Sequence, residues 1–367
     1  MRVLELTCEP ILHGGQEAFI FNFLDAVSDD SIDIDVATLY YCDNSKYRAI
    51  AEKRGAKIFE LKLDFKPGHS RRLIIKPLRS FLTKNKYDVI HIHSGSISAL
   101  AYSAAVARKS GIKNIFVHSH STGINNLKHK IIQRSFSGIF LKNVTRFLAC
   151  SKEAGMMKYP QKVNDKTIVL NNGININRFA FDQSIRKMIR TELSIPEDCY
   201  VVGQIGRFTF EKNQKFMVEV SLDIPANKKI FFVFIGDGEL KEEIQSKCNN
   251  KSVIFLDAQD DVWKYYNAFD LLVLPSLYEG IPLVSIEAQA NGLPILASTG
   301  VSKEIEINNN VFRIGLDDRN LWISTICDRT MERIQEKDNV ILKSDWDIQR
   351  VTDKLLRLYK SVNRRNL

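Results

Sequence analysis

At 367 residues, with 44% hydrophobic and 26% charged side chains, the chain exceeds one comfortable core and has the composition of a soluble protein of two domains. Nothing approaches 18 uncharged apolar residues in a row, which excludes a membrane-spanning helix, and the opening MRVLELT, interrupted by Glu5, is too short an apolar run for a signal peptide. Residues 1–180 hold 27 Lys and Arg against 15 Asp and Glu, a net +12, while the remainder is −3, yet no motif with aromatic and basic residues interleaved points to nucleic acid. Six scattered cysteines without a Cys-x-x-Cys pair disfavour zinc and fit reduced thiols in a cytoplasm.

Apolar runs of strand length predict strands over 2–7, 33–39, 57–61, 89–93, 115–118 and 146–149, then 201–205, 230–235, 253–256, 271–274 and 295–297, with helical periodicity between them. Such alternation predicts two parallel-sheet domains, with a boundary near 175–183, between an Asn-Gly turn and a new helix. After the first strand, HGGQEAFIFNFL places Gly14 and Gly15 ahead of a helix, where residues without Cβ let the backbone approach a phosphate or a sugar. The pattern is not Gly-x-Gly-x-x-Gly, which disfavours a dinucleotide.

Further along, IDIDVATL alternates as a strand with one polar face, so its Asp33 and Asp35 read as solvent-facing. The segment RRLIIKPLRSFLTKNK puts Ile74, Ile75, Leu78, Phe81 and Leu82 on one helical stripe and basic residues elsewhere. The stripe fits a sheet, and the charges fit either solvent or the anionic headgroups of a membrane. Histidines end two strands: His93 in VIHIHSGS, and His118 with His120 in FVHSHSTG. His118 reads as a satisfied core histidine, and no Cys, His or acidic partner at ligand spacing supports a metal site there.

In the second half, VVGQIGRFTFEKNQ sets Arg207 and Lys212 after a buried strand, where a planar fork and a mobile ammonium can converge on one pair of phosphates. LDAQDDVWKYY places Asp257, Asp260 and Asp261 in a loop and helix start, where acidic residues favour the dipole. The most informative stretch is SLYEGIPLVSIE, with Glu279 and Glu287 across a loop that runs into a helix. Pro282 suits the first helical position, so the amides of Leu283 and Val284 should point out of the helix start as an anion site.

Four segments in order, LNNGIN (170–175), VVGQIGRFTFEKNQ, FVFIGDGEL (232–240) and SLYEGIPLVSIEAQANGLPILAS, resemble the retaining glycosyltransferases of family 4, especially the bacterial capsule and exopolysaccharide group, and the likeness spans almost the whole chain. The resemblance implies the GT-B fold: two Rossmann-like parallel-sheet domains facing a cleft, with the last helix crossing back to the first. On that reading residues 1–178 with 345–367 bind the acceptor, and 179–344 bind a nucleotide-sugar donor. It implies a metal-independent hexosyltransferase acting on a nucleoside diphosphate sugar, in all expectation UDP-linked, and on a glycan or lipid-linked glycan acceptor. No cofactor is implied, and the enzyme would be cytoplasmic or peripheral on the inner membrane face.

By the same resemblance, Arg207 and Lys212 hold the leaving diphosphate. Glu279 and Gly280 line the sugar, Glu287 takes the ribose hydroxyls, Leu283 and Val284 offer amides, Gly14 and Gly15 face the diphosphate and acceptor, and His120 meets the transferred sugar. Asp33-Ile34-Asp35 matches the Asp-x-Asp of metal-dependent GT-A transferases, but its setting in a regular strand argues against that fold. Two rivals stand beside this reading: a nucleotide-sugar epimerase or hydrolase of similar architecture, and a basic polyanion-binding protein without enzymatic activity.

Overall fold

The computed structural model describes residues 1–12, 14–64, 70–120 and 127–362, with only the backbone for 127–129. His13, residues 65–69 of the basic stretch, 121–123 of FVHSHSTG and the terminal 363–367 lie outside the described residues.

The chain divides into two compact units, one formed by Met1–Gly173 together with the segment from Ile348, the other by Ile174–Asp347. The breaks fall a few residues from 178 and 345 because Ile174 and Ile176 pack with Phe179 in the second unit's core, as does Trp346. Ile174 N–H donates to the Trp346 carbonyl at 2.9 Å, which ties the two crossing points together.

In the first unit the strands are β1 (Arg2–Thr7), β2 (Asp33–Thr38), β3 (Ile58–Glu60), β4 (Val89–Ser94), β5 (Asn114–Ser119), β6 (Arg146–Ala149) and β7 (Ile168–Val169). All neighbours pair parallel, in the order β3-β2-β1-β4-β5-β6-β7. The second unit repeats the plan with β8 (Tyr200–Ile205), β9 (Ile230–Ile235), β10 (Val253–Leu256), β11 (Leu271–Leu274), β12 (Ile295–Ser298) and β13 (Val311–Ile314), ordered β10-β9-β8-β11-β12-β13. Each sheet reverses its order once, beside β1 and β4 in the first and beside β8 and β11 in the second. Open parallel sheets bind ligands outside the strand ends at such points.

Apolar runs such as Val-Val-Gly-Gln-Ile become strands buried on both faces because helices cover both sides of a parallel sheet. In the basic stretch, Ile74, Leu78 and Leu82 are buried while Ile75 and Phe81 are partly so, as the helical stripe predicts. The terminal helix Ile348–Lys360 lays Val351, Leu355 and Tyr359 into the first unit's core beside Phe19 and Phe23. Gly173 permits its approach, since a Cβ there would meet Val351 and the Ile348 backbone at about 3.0 Å.

Asp35 is not solvent-facing as its strand pattern suggests. It accepts from Arg2 at 3.1 Å and Tyr87 at 3.0 Å, so this carboxylate is engaged structurally, whereas Asp33 is exposed.

Gly203 in β8 is a packing constraint within the second unit's sheet, since an added Cβ would lie 2.2 Å from the fully buried ring of Phe269. Gly203→Ala should destabilise this unit by about 1–3 kcal/mol, the usual cost of overpacking a core. Urea unfolding would read this as a lowered midpoint, and an unchanged midpoint would mean that the ring moves aside freely.

Candidate active site

At the second unit's switch point, the loop after β8 and the loop after β11 are joined by hydrogen bonds from Leu277 N–H to the Glu211 carbonyl (2.8 Å) and from Asn213 to the Pro275 carbonyl (3.1 Å), and by an ion pair. Lys212 Nζ meets the Glu279 carboxylate, and Ser276 Oγ donates to the other Glu279 oxygen at 2.9 Å. The Glu279 backbone is fixed as well: its N–H donates to Gly300 O at 3.0 Å and its carbonyl accepts from Ser302 at 2.9 Å. Lys212 is positioned from behind, because Gln204 at the end of β8 donates to its carbonyl at 2.9 Å, and its side chain lies over Gly206.

Arg207 stands apart from this pair. Its guanidinium is 3.3 Å from Glu239, with the two side chains 72% and 57% exposed. A pair so exposed contributes at most about 1 kcal/mol, so the guanidinium is free to turn to a stronger anion.

Helix Leu283–Ala290 follows the Glu279 loop, with Pro282 as its cap residue rather than its first helical residue: φ −69° and ψ 132° are extended. The consequence for the amides is as expected. Those of Leu283 and Val284 have no hydrogen-bond partner among the described residues, leaving the first turn open to an anion. Nothing lies within 4 Å of a Cβ placed at Gly280, so this loop is open. Glu287, one turn in, accepts from the buried Tyr266 hydroxyl at 2.5 Å. Of the acidic loop residues, Asp257 pairs with Lys241, and Asp261 accepts from Arg178 (3.1 Å), Trp263 (3.0 Å) and Lys264 (2.9 Å).

The first unit presents a second polar group around its own switch point. Gly14 caps helix Gly15–Ala26, and Glu17 folds back over it so closely that a Cβ at Gly14 would clash with the carboxylate. Burial pushes the Glu17 carboxyl up to about 7, with the backbone amides of Glu17 and Gly14 partly opposing and the charge of Glu9 adding to the rise. Glu9 is also raised by burial, against hydrogen bonds from Ser94 Oγ (2.7 Å) and Gln16 (3.1 Å). Gly15 and His120 are brought together by Asn172, which donates to the Gly15 carbonyl at 3.3 Å and lies against His120.

Behind His120 is a cluster that the linear sequence does not disclose. Glu5 of β1, with a side chain 1% exposed, is 2.6 Å from His93 Nε2 and 3.1 Å from His91 Nδ1, and it accepts from Tyr359 at 2.5 Å. His93 Nδ1 is 2.9 Å from His120 Nε2. Burial holds His120 down to about 3, reinforced by His91 and opposed by Asn172 and Glu5. His93 is likewise held well below the ordinary value by burial and by His91 and His120, so both are neutral imidazoles at pH 7.

His118 is in the core, as expected, but among the described residues neither ring nitrogen makes a hydrogen bond of normal geometry, with the Leu170 backbone lying beside it. Nitrogens of His91, His93 and His118 lie within 4.8 Å of one another. Both nitrogens of His93 are already committed, to Glu5 and His120, so a metal held by all three rings would have to break that chain. Glu5, Glu9, Glu17 and Asn172 were not read as site residues in the sequence. The signals available were Glu5 interrupting MRVLELT, Glu17 ahead of the apolar run AFIF, and Asn172 within LNNGIN.

This chain resembles known glycosyltransferases. The family model described as Glycosyltransferase Family 4 matches residues 13–178, and that described as Glycosyl transferases group 1 matches 185–316. EpsF of Bacillus subtilis, named as a glycosyltransferase, is 25% identical over 327 residues, spanning 85% of this chain and 84% of its own length. An Escherichia coli UDP-Gal:alpha-D-GlcNAc-diphosphoundecaprenol alpha-1,3-galactosyltransferase is 27% identical over 305 residues, covering 77% of each. Among solved structures, HepE of Anabaena in complex with UDP superposes with a TM-score of 0.72 at 18% identity, over 98% of this chain and all of the other. Sucrose-phosphate synthase of Thermosynechococcus elongatus gives a TM-score of 0.76 at 18% identity, over 99% and 100%.

Two parallel-sheet units of this kind, shared along nearly the full length of those structures, are the GT-B fold of glycosyltransferases. With both models matched in order, the chain belongs to the family 4 glycosyltransferases, and the epimerase and polyanion-binding alternatives are set aside.

Glu17 gives the first unit a pH signature. Its carboxyl, at 4.5 ordinarily and about 7 when folded, binds a proton more tightly in the native state. The resulting stabilisation is complete below about pH 4.5 and is lost as pH rises through 7. Glu17→Gln abolishes that loss, so the variant should gain on the parent by roughly 3 kcal/mol between pH 4.5 and 8, at 1.36 kcal/mol per unit. Urea unfolding at the two pH values measures it, and a difference that stays constant would show that Glu17 titrates normally.

Proposed function

We propose that this enzyme is a retaining hexosyltransferase that takes its sugar from a UDP-linked donor bound by the second unit. It transfers that sugar to a glycan or lipid-linked glycan recognised by the first, in capsule or exopolysaccharide assembly. The observation that carries the reading is the Lys212–Glu279 pair, joined across the switch point and followed at once by the open amides of Leu283 and Val284. One cation, one carboxylate and two free N–H groups in that order form a receptor for a phosphorylated sugar. The diphosphate takes the ammonium and the amides, and Glu279, released from Lys212, accepts from the sugar hydroxyls.

Each remaining residue has a task in the same chemistry. Arg207 leaves its weak surface partner Glu239 for the diphosphate, where the guanidinium fork binds two oxygens together. Glu287, oriented by Tyr266, accepts from the ribose hydroxyls. Gly14 and Gly15 admit the diphosphate and acceptor, and His120 contacts a hydroxyl of the transferred sugar. The acceptor oxygen attacks C1 on the face from which the diphosphate departs. As the C1–O bond to phosphate breaks and the new one forms, the acceptor proton passes to a phosphate oxygen, and configuration is retained. Negative charge that grows on the diphosphate is met by Lys212, Arg207 and the amides, preorganised where it develops.

The E. coli relative's name, with a UDP-sugar donor and a diphosphoundecaprenol acceptor, supports both the donor class and a lipid-linked acceptor. An α-linked product is also what front-face transfer from an α-linked sugar nucleotide gives. No helix among the described residues is long and apolar enough to cross a membrane, so contact with such an acceptor would come from the surface. The basic helix of the first unit supplies one: Lys76 and Arg79 are exposed and Leu73 is 61% exposed, whereas Arg71 and Arg72 are engaged by the hydroxyls of Tyr40 (2.6 Å) and Tyr102 (3.2 Å).

Arg207→Ala and Lys212→Ala should each lower turnover by roughly 10²- to 10³-fold, the loss typical of removing one stabiliser of transition-state charge. EDTA should leave the parent's activity intact, because those groups already neutralise the phosphates. Release of UDP from a panel of UDP-sugars is the assay. Full turnover in both variants would refute the diphosphate site, and loss with EDTA restored by Mn²⁺ would refute metal independence.

Vesicles containing phosphatidylglycerol should bind the enzyme, and Lys76→Gln with Arg79→Gln should together weaken that binding by roughly 30-fold, at about 1 kcal/mol per basic residue. Affinity for UDP should not change. Co-sedimentation indifferent to both substitutions and to salt would exclude this helix as the contact.

A further inference from the structure

The buried cluster behind His120 has a direction built into it. Glu5 is ringed by the Tyr359 hydroxyl at Oε1 and by ring nitrogens of His93 and His91 at Oε2, at 2.5, 2.6 and 3.1 Å. With three such groups converging, the two oxygens act as acceptors, so His93 Nε2 carries a hydrogen and donates it. A neutral imidazole has one N–H, so His93 Nδ1 holds a lone pair. His120 Nε2, 2.9 Å away, must then be the donor in turn, and the remaining nitrogen of His120 is an acceptor.

That remaining nitrogen, His120 Nδ1, makes no hydrogen bond of normal geometry among the described residues, and neither does Asn172 Oδ1, although the two side chains lie against one another. Buried polar atoms are rarely left unpaired without reason, and two acceptors set side by side fit hydroxyl donors. Asn172 is itself tied to the Gly15 carbonyl through its Nδ2. His91 is consistent with the same polarity: its Nδ1 faces Tyr359 at 2.6 Å as well as Glu5, and its Nε2 is left unpaired.

We propose that Glu5 and His93 are positioning residues that lock His120 as the Nε2–H tautomer, so that its Nδ1 lone pair accepts a hydrogen bond from a hydroxyl of the transferred sugar. This rests on the reading that His120 meets that sugar. The relay costs the protein a buried carboxylate, but it secures what an isolated histidine lacks: a single ring orientation and a single protonation pattern before any ligand arrives. A hydroxyl is thereby selected over an acceptor group at that position, because only a donor satisfies Nδ1 and Asn172 Oδ1.

The test is nitrogen NMR of the intact enzyme with ¹⁵N-labelled histidine, with the His120 signals assigned through His120→Gln. In the free protein His120 should show a protonated Nε2 and a bare Nδ1. The UDP-sugar of the panel that gives the largest thermal shift should move the Nδ1 signal, and UDP alone should not. His93→Phe should erase the fixed tautomer and lower kcat for UDP release on the order of 10- to 100-fold while leaving KM for the donor unchanged, as misorientation of a reacting-site group does. Tyr359→Phe, which leaves both imidazole donors on Glu5, should preserve the tautomer.

A protonated Nδ1 in the free parent protein overturns the relay outright and needs no variant to fold. An Nδ1 signal equally affected by UDP and by the UDP-sugar overturns the hydroxyl contact with the relay intact. Failure of every UDP-sugar to bind overturns the donor reading instead.

Discussion

Parallel strand order governs where the chemistry of this enzyme lies. In each unit the central strand has neighbours whose connections run to opposite sides, so the loops beyond β1 and β4, and beyond β8 and β11, part from each other and leave room at the strand ends. Lys212 and Glu279 are 67 residues apart and Glu5 and His93 are 88 apart, yet each pair is juxtaposed because its members belong to or follow adjacent strands. Without that crossover neither the phosphate-type receptor nor the histidine cluster exists.

The two units use the opening in opposite electrostatic ways. In the second, the charged groups are partly exposed and loosely held, as with Arg207 and Glu239, so a ligand can take over their interactions at little cost. The first hides its groups: Glu5, His91, His93 and His118 are fully buried, and their order is set by hydrogen bonds instead of by net charge. Buried networks of this kind are expensive unless nearly every member is paired, and the few unpaired atoms are therefore informative.

Most of the architecture was legible in the sequence, because strands buried on both faces appear as unbroken apolar runs. Strands 2–7, 146–149, 230–235, 253–256 and 271–274 coincide with their expected bounds. Two were missed: β7 has only two residues, and β13 carries Arg313, whose guanidinium reaches the Thr299 carbonyl at 2.7 Å and so reads as a surface charge. The placing of Pro282 was one residue off because its ring fixes φ alone, and ψ decides whether a residue begins a helix or caps it.

The site divides the same way. Lys212, Glu279 and the helix-start amides lie near strand ends that apolar runs reveal. Glu5 was visible only as an interruption, since its meaning comes from the β1–β4 pairing and from Tyr359, which is 354 residues away. The expectation of a satisfied His118 meets a related limit: the three other histidines and Phe19 pack around it, and neither ring nitrogen makes a hydrogen bond of normal geometry among the described residues.

The contact between Tyr359 and Glu5 also bears on how the chain is made. Synthesis runs from the amino end, so β1 and its buried carboxylate emerge before the second unit, and the hydroxyl that closes over Glu5 only after the entire second unit has been translated. Until then Val351, Leu355 and Tyr359 are missing from the first core, and Glu5 faces an incomplete wall. The second unit is contiguous in sequence, whereas the first completes its core only with a segment encoded beyond the second.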